Sequence, residues 1–237
     1  NQVQYVDLHS FIQDSGVEIT ASTGNGEDFY IAGTTEDGNT TDNFFIKYND
    51  ASGFSSVHVA GALITTDKIT GIGFLGGKFY LVGLSDMDSF LLMEDDTYKR
   101  AVSLDAEFVT TAVLDNNIYI MSGSRDEAFM YKLNDNGSFD SFEIEIPNSR
   151  VVMYTAMKVS HGKIFISGSY ALDDVNGISS DLGGVHAPVY VFVPFYMVYD
   201  GTNITRTDLE TEGQLGIIGY GAVSDSNGSV YVTGVSL

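Results

Sequence analysis

The sequence predicts an all-β fold, a five-bladed β-propeller of four-stranded antiparallel blades, and three observations predict it. A short phrase recurs five times: DFYIAG from Asp28, KFYLVG from Lys78, NIYIMSG from Asn117, KIFISG from Lys163 and SVYVTG from Ser229. Anchored on Tyr30, Tyr80, Tyr119, Phe165 and Tyr231, the phrases lie 50, 39, 46 and 66 residues apart, and 36 residues join the last to the first through the termini. A period of about 40 to 50 residues is the spacing of propeller blades. Turn residues also bracket every phrase at regular places, which divides each period into strand-length pieces.

Each blade is then read in order. A small residue, Ala21, Gly71, Ala112, Ala156 or Ala222, precedes each anchor and marks a first, inner strand where blades converge. Hairpin turns follow at Gly24-Asn25-Gly26, Gly76-Gly77, Asp115-Asn116, His161-Gly162 and Asn227-Gly228, residues that tolerate the backbone of tight turns. The anchor phrase is the second strand. Third strands begin at Asp42, Asp88, Asp126 and Val189, and fourth strands are expected near Ser56–Val59, Ala101–Leu104, Phe142–Ile146 and Ile204–Leu209. Too few residues follow Tyr231 for two more strands, so the last blade is expected to be short and closed by the N-terminal strand Gln4–Leu8, which leaves no open edge. The whole chain, 1–237, is read as one domain. The long fourth period carries a loop insertion at about 170–187, rich in Gly, Asp and Ser.

Composition narrows the function classes. The chain of 237 residues has 11 Lys and Arg against 32 Asp and Glu, a formal charge of −21. Nucleic acid is excluded as a partner, because gripping phosphates takes clustered cations. Hydrophobic residues at 43% and aromatics at 12% suffice for a packed core. The absence of cysteine removes disulfides, thiolate metal sites and Cys nucleophiles. No apolar run approaches the roughly 18 residues of a membrane helix, so no membrane span is expected. The opening NQVQYVDLHS reads as a processed or excised chain. Abundant Gly, Ser, Thr and Asn point to an extracellular, cell-surface or virion-surface location.

The phrases DSNGSVYVTG (Asp225 to Gly234), DFYIAGTT (Asp28 to Thr35) and DEAFMYKLNDNG (Asp126 to Gly137) resemble the bacterial β-propeller repeats named after seven-bladed members, with kelch repeats as more distant relatives. The chain departs from kelch in lacking the Gly-Gly doublet after the anchor strand, has no Trp, and shows no Asp-box of the sialidase kind. The resemblance implies surface or secreted binding and scaffolding roles, and it supplies no catalytic residues.

Candidate chemistry gathers at two places. Glu18, Asp67 and Glu107 open successive inner strands, twelve, thirteen and twelve residues before their anchors. Carboxylates converging on a channel mouth suit a hard cation such as Ca2+ or the acid–base pair of a glycosidase; the bland alternative is a solvated rim. Val152 and Ile218 interrupt the pattern. The insertion holds Asp173, Asp174, Asn176 and Asp181, expected to bind ligand, although the spacing fails the EF-hand rule. Asn39, Asn136, Asn203 and Asn227 are glycosylation sequons on expected turns. His9, His58, His161 and His186 show no metal-ligand spacing. No cofactor is called for beyond calcium.

On this reading the chain is a non-enzymatic extracellular binding module for a glycan or protein ligand. The alternative is a structural subunit of a surface layer, appendage filament or virion that self-assembles by strand addition. A third reading is a glycosidase or lyase that uses the carboxylates of the channel mouth.

Overall fold

A computed structural model describes residues 16–24, 27–37, 40–56, 67–85, 88–93, 99–103, 106–124, 127–145, 149–172, 179–182, 185–188, 192–209 and 217–236. All of the regular structure among them is β. The chain forms two compact units, Asn1–Thr110 and Thr111–Leu237.

In the first unit, β1 (Val17–Gly24), β2 (Asp28–Asp37), β3 (Thr40–Asn49) and β4 (Gly53–Ser56) pair in sequence order as an antiparallel sheet. The next sheet repeats the order with β5 (Asp67–Leu75), β6 (Lys78–Ser85), β7 (Asp88–Met93) and β8 (Lys99–Ser103). The unit boundary falls within β9 (Phe108–Leu114), which heads a sheet with β10 (Asn117–Gly123), β11 (Ala128–Leu133) and β12 (Phe139–Glu143).

In the second unit, β13 (Ser149–Ser160) and β14 (Lys163–Leu172) start a fourth sheet. A separate hairpin, β15 (Ser179–Leu182) and β16 (Val185–Pro188), precedes its remaining strands, β17 (Phe192–Tyr199) and β18 (Ile204–Asp208). The last described sheet has two strands, β19 (Ile217–Ser224) and β20 (Val230–Ser236). Four-stranded antiparallel sheets in meander order are the build of propeller blades, so the all-β, four-stranded repeat expected is the one observed. The closing strand Gln4–Leu8 lies outside the described residues.

Two local differences from expectation have simple causes. The fourth strand of the first blade starts at Gly53, earlier than expected, because the Asn49 Oδ1 accepts the Ala51 amide at 2.9 Å and turns the chain at once. The insertion is not loop throughout, since Gly183-Gly184 separates two segments that pair as a hairpin, Leu182 opposite Val185.

Tight two-residue turns join first and second strands. Gly76 and Gly77 take φ of 60° and 82°, Asp115 and Asn116 take 48° and 60°, and His161 and Gly162 take 47° and 70°. Such left-handed pairs match the twist of the flanking strands. At the last of these turns, the Ser160 hydroxyl donates to the Ser224 carbonyl at 2.9 Å and accepts the Ser224 amide at 3.3 Å, which ties β13 to β19.

The first strands share a bulge. Pairing slips between Ile19 and Ala21, Ile69 and Gly71, Tyr154 and Ala156, and Gly219 and Gly221, leaving Thr20, Thr70, Thr155 and Tyr220 as the extra residues. An unpaired residue bends its strand and frees its side chain for other work. Thr20 donates its hydroxyl to the Ala32 carbonyl at 3.4 Å and Thr155 to that of Ser167 at 3.1 Å, while Thr70 reaches Val109 on β9 at 2.6 Å.

Directly before each slip the partner is glycine. Gly33, Gly83 and Gly168 pair on their other side with Phe44, Phe90 and Phe195. A Cβ on these glycines would meet the Glu18, Lys68 and Met153 carbonyl oxygens and come within 2.6, 2.6 and 2.7 Å of the Phe ring tips. The closest approaches thus lie one strand over from the small residues of the first strands, of which Gly71, Ala112 and Ala222 are buried and Ala21 and Ala156 half-buried.

Aromatic rings fill the space between neighbouring blades. In the first unit Tyr30 stacks on Phe74 at 5.6 Å and meets Phe79 edge-on at 5.0 Å, and Phe45 meets Phe79 at 4.9 Å. Ile69, Leu81 and Phe90 complete that core. In the second unit Tyr119 packs edge-on against Tyr199 at 5.6 Å. Burial first, and the neighbouring Tyr199 second, push the Tyr119 phenol up to about 12. Burial also raises Tyr154, above the usual tyrosine range.

Two outcomes are expected. Gly83→Ala lowers stability by roughly 1–3 kcal/mol, more than Gly221→Ala, whose Cβ would meet only the Thr233 hydroxyl at 3.5 Å. Equal shifts in denaturant midpoint for the two variants would remove the close-approach argument. Tyr119 ionises from 10.0 when unfolded and from about 12 when folded. Its contribution is therefore complete below pH 10 and is lost as pH rises through about 12. Tyrosinate absorbance should lag behind that of a Tyr119→Phe-corrected unfolded control, and coincident titrations would contradict the burial.

Candidate functional site

The carboxylates singled out in the sequence all belong to the first unit. Glu18 is the second residue of β1, paired with Thr34, and its side chain is 65% exposed. Lys68 on β5 reaches it at 3.6 Å. The two occupy the same register position, each one residue before the partner of a crowded glycine, Ile19 opposite Gly33 and Ile69 opposite Gly83. Asp67 begins β5 opposite Ser85, one step along, in the register position of Val17 opposite Thr35. Successive strand positions face opposite sides of a sheet, so the one-residue difference in spacing separates the two acids in register. Glu107 is exposed in the bend just before β9.

The exposure of this ion pair limits what it adds to stability. Its chemical meaning is local: a cation is held against one of the carboxylates at the entry ends of neighbouring first strands. In the second unit Met153 and Ile218 fill the register position of Glu18, so the acids belong to the first unit alone. Among the described residues, no group of three or more His, Asp or Glu side chains comes together as a metal site.

Of the insertion residues, Asp181 lies on β15 opposite His186; Asp173, Asp174 and Asn176 lie outside the described residues. Asn39 does too. The other sequons are exposed on turns, as expected. The Asn136 Oδ1 accepts the Ser138 amide at 2.9 Å, and the Asn203 and Asn227 amides donate to Asp200 at 2.8 Å and Asp225 at 2.9 Å. Backbone donors hold the Asp200 and Asp225 carboxyls below the usual carboxylate range. Those two acids therefore serve their turns.

A cluster missed in the sequence reading lies on the fourth blade: Tyr170, Arg206 and Asp208. The Tyr170 hydroxyl donates to Asp208 Oδ2 at 3.2 Å, and Arg206 Nε lies 3.1 Å from Asp208 Oδ1. The signal available was the alternation Arg206-Thr207-Asp208 within a strand, which sets the two charges on one side of the sheet.

No family model matches the chain, and no curated protein matches it in sequence. Solved structures match it in fold. The catalytic domain of the Coprinopsis cinerea GH62 α-L-arabinofuranosidase aligns with a TM-score of 0.50 at 8% identity, over 95% of this chain and 86% of that one. The phage phi92 endosialidase aligns with a TM-score of 0.50 at 14% identity, over 93% of this chain and 42% of that one. A protein described as a glycoside hydrolase aligns with a TM-score of 0.49 at 14% identity, over 91% of this chain and 59% of that one. The chain thus spans less than two thirds of the last two proteins.

These likenesses establish the class of fold, a β-propeller, without singling out the kelch-type repeats. They also correct the functional expectation. The non-enzymatic binding module is expected from loops on two rigid faces and the lack of an evident catalytic set, and the structural subunit from the edge left by a short last blade. Proteins named as glycoside hydrolases share this fold, and a glycosidase needs only two carboxylates, delivered by separate strands. The missing motif therefore carries no weight against an enzyme.

Proposed function

We propose that the chain is a glycoside hydrolase built on a β-propeller, with a glycan as its partner and an extracellular or cell-surface place of work. The observation that carries the reading is an exposed carboxylate at the entry end of separate first strands, Glu18 on β1 and Glu107 just before β9, with Asp67 of β5 one register step from the position of Glu18. Its fold likeness to the catalytic domain of an arabinofuranosidase over most of both chains supports it.

In such a reaction one carboxylic acid protonates the leaving oxygen, and a second carboxylate activates water or attacks the anomeric carbon.

The test is hydrolysis of a panel of aryl glycosides and plant and bacterial polysaccharides. Glu18→Gln, Asp67→Asn and Glu107→Gln are assayed singly, each with a thermal melt. Two of the three variants should lose on the order of 10²–10⁴-fold in kcat with unchanged melting, and exogenous azide should rescue the one that lacks the nucleophile or base. No cleavage of any substrate, or full activity in all three variants, would overturn the reading.

A further inference from the structure

Cations are scarce in this chain, 11 against 32 acids, so where one is held rigidly, its spare donors are informative. Lys47 is taken up by Asp28 at 2.8 Å. Arg206 is different. On β18 it pairs with Met197, and Asp208 pairs with Phe195, so the two share the face that covers the buried Phe195 ring. The guanidinium lies 5.3 Å over the ring of Tyr170, itself packed against Phe195 at 6.1 Å. Tyr154 meets Phe195 edge-on at 5.8 Å from the other side. The ring beneath the guanidinium is therefore itself packed in an aromatic cluster.

Asp208 then fixes the guanidinium in its own plane. Both carboxylate oxygens are used, Oδ1 by Arg206 Nε at 3.1 Å and Oδ2 by the Tyr170 hydroxyl at 3.2 Å. Only Nε of the arginine is spent. The two terminal amino groups have no hydrogen-bond partner among the described residues, and the side chain is 30% exposed. A planar cation that lies over a ring and whose Nε is pinned has lost part of its freedom. It presents a fork of parallel N–H donors, and the complement of such a fork is a planar carboxylate.

We infer that Arg206 recognises the carboxylate of an acidic sugar, a uronic acid unit held at the fourth blade. The inference rests on the glycan reading for the sugar and on the geometry of Arg206 for the charge. Tyr170 and Asp208 are positioning residues. They hold the guanidinium, Asp208 through Nε and Tyr170 through its ring.

The experiment compares binding of galacturonate and glucuronate oligomers with binding of their methyl esters by calorimetry, using the full chain. The sugar backbone is the same in both forms, and only the carboxylate is capped. The wild type should prefer one of the acid oligomers by about tenfold or more over its ester. That preference should collapse in Arg206→Gln and shrink in Arg206→Lys, which keeps the charge and loses the fork. Tyr170→Phe, which frees one Asp208 oxygen, should weaken the preference without abolishing it. Should Arg206→Gln fail to fold, Arg206→Lys decides by the same ratio.

Equal affinity for acid and ester, no binding of either, or a preference that persists in Arg206→Gln would overturn the inference. The same comparison is run in a Glu18→Gln, Asp67→Asn, Glu107→Gln background so that binding is read without turnover, and its failure leaves the hydrolysis assays intact. Inactive carboxylate chemistry, conversely, leaves the acid-to-ester ratio measurable.

Discussion

Where Gly33, Gly83 and Gly168 pass beneath Phe44, Phe90 and Phe195, the backbone of the preceding strand comes too near for any side chain between them. The bulge in the first strand turns a carbonyl inward, glycine leaves room for it, and the ring from the third strand closes over both. Three strands are thereby fixed relative to one another at a single point. Register errors in a sheet move every side chain to the wrong face, so a contact that admits no slippage protects the alternation on which burial depends. The third blade solves the problem differently, with Gly123 against the Glu127 carbonyl and Ala128 in place of the ring.

Because the lock fixes each sheet internally, the faces between sheets are free to be specified by rings. The first unit uses Tyr30, Phe45, Phe74 and Phe79 in a cluster of stacked and edge-on pairs. Pairs of this kind add about 0.5–1.5 kcal/mol each beyond their buried area. The second unit uses Tyr119, Tyr199 and Phe142, with Tyr154 and Phe195 on the fourth blade. The same ring that covers Gly168 also carries the aromatic floor under Arg206. Packing and the candidate recognition group therefore share Phe195.

The fold was legible because repetition supplies its own control: one aromatic in a strand-like phrase says little, but Tyr30, Tyr80, Tyr119, Phe165 and Tyr231 at blade spacing say the same thing five times. The glycine ending each phrase was visible as well, although its reason was not, since a bulge carbonyl and a covering ring come from two other strands. The candidate site was less legible. Glu18 and Asp67 look equivalent in the sequence, yet their distances to the anchor differ by one residue, and in a sheet one residue is a whole change of face. Counting strictly would have aligned Glu18 with Lys68. Arg206 and Asp208 drew no notice because Tyr170, which completes their arrangement, lies far away in sequence on another strand. The expectation of a non-enzyme failed for a related reason, in that repeats advertise architecture and give dispersed carboxylates such as Glu18, Asp67 and Glu107 no more weight than a solvated rim.

The clasp between Ser160 and Ser224 bears on how the second unit comes apart. A two-stranded sheet is marginal by itself in water, and β19 and β20 are paired only with each other among the described strands. With both the carbonyl and the amide of Ser224 engaged by one hydroxyl of β13, local opening of that hairpin must first release its neighbour. Amide hydrogens along β19 should consequently exchange with solvent on the schedule of β13, as one cooperative unit, and proteases that sample open states would find the C-terminal hairpin no easier to cut than the four-stranded sheet beside it.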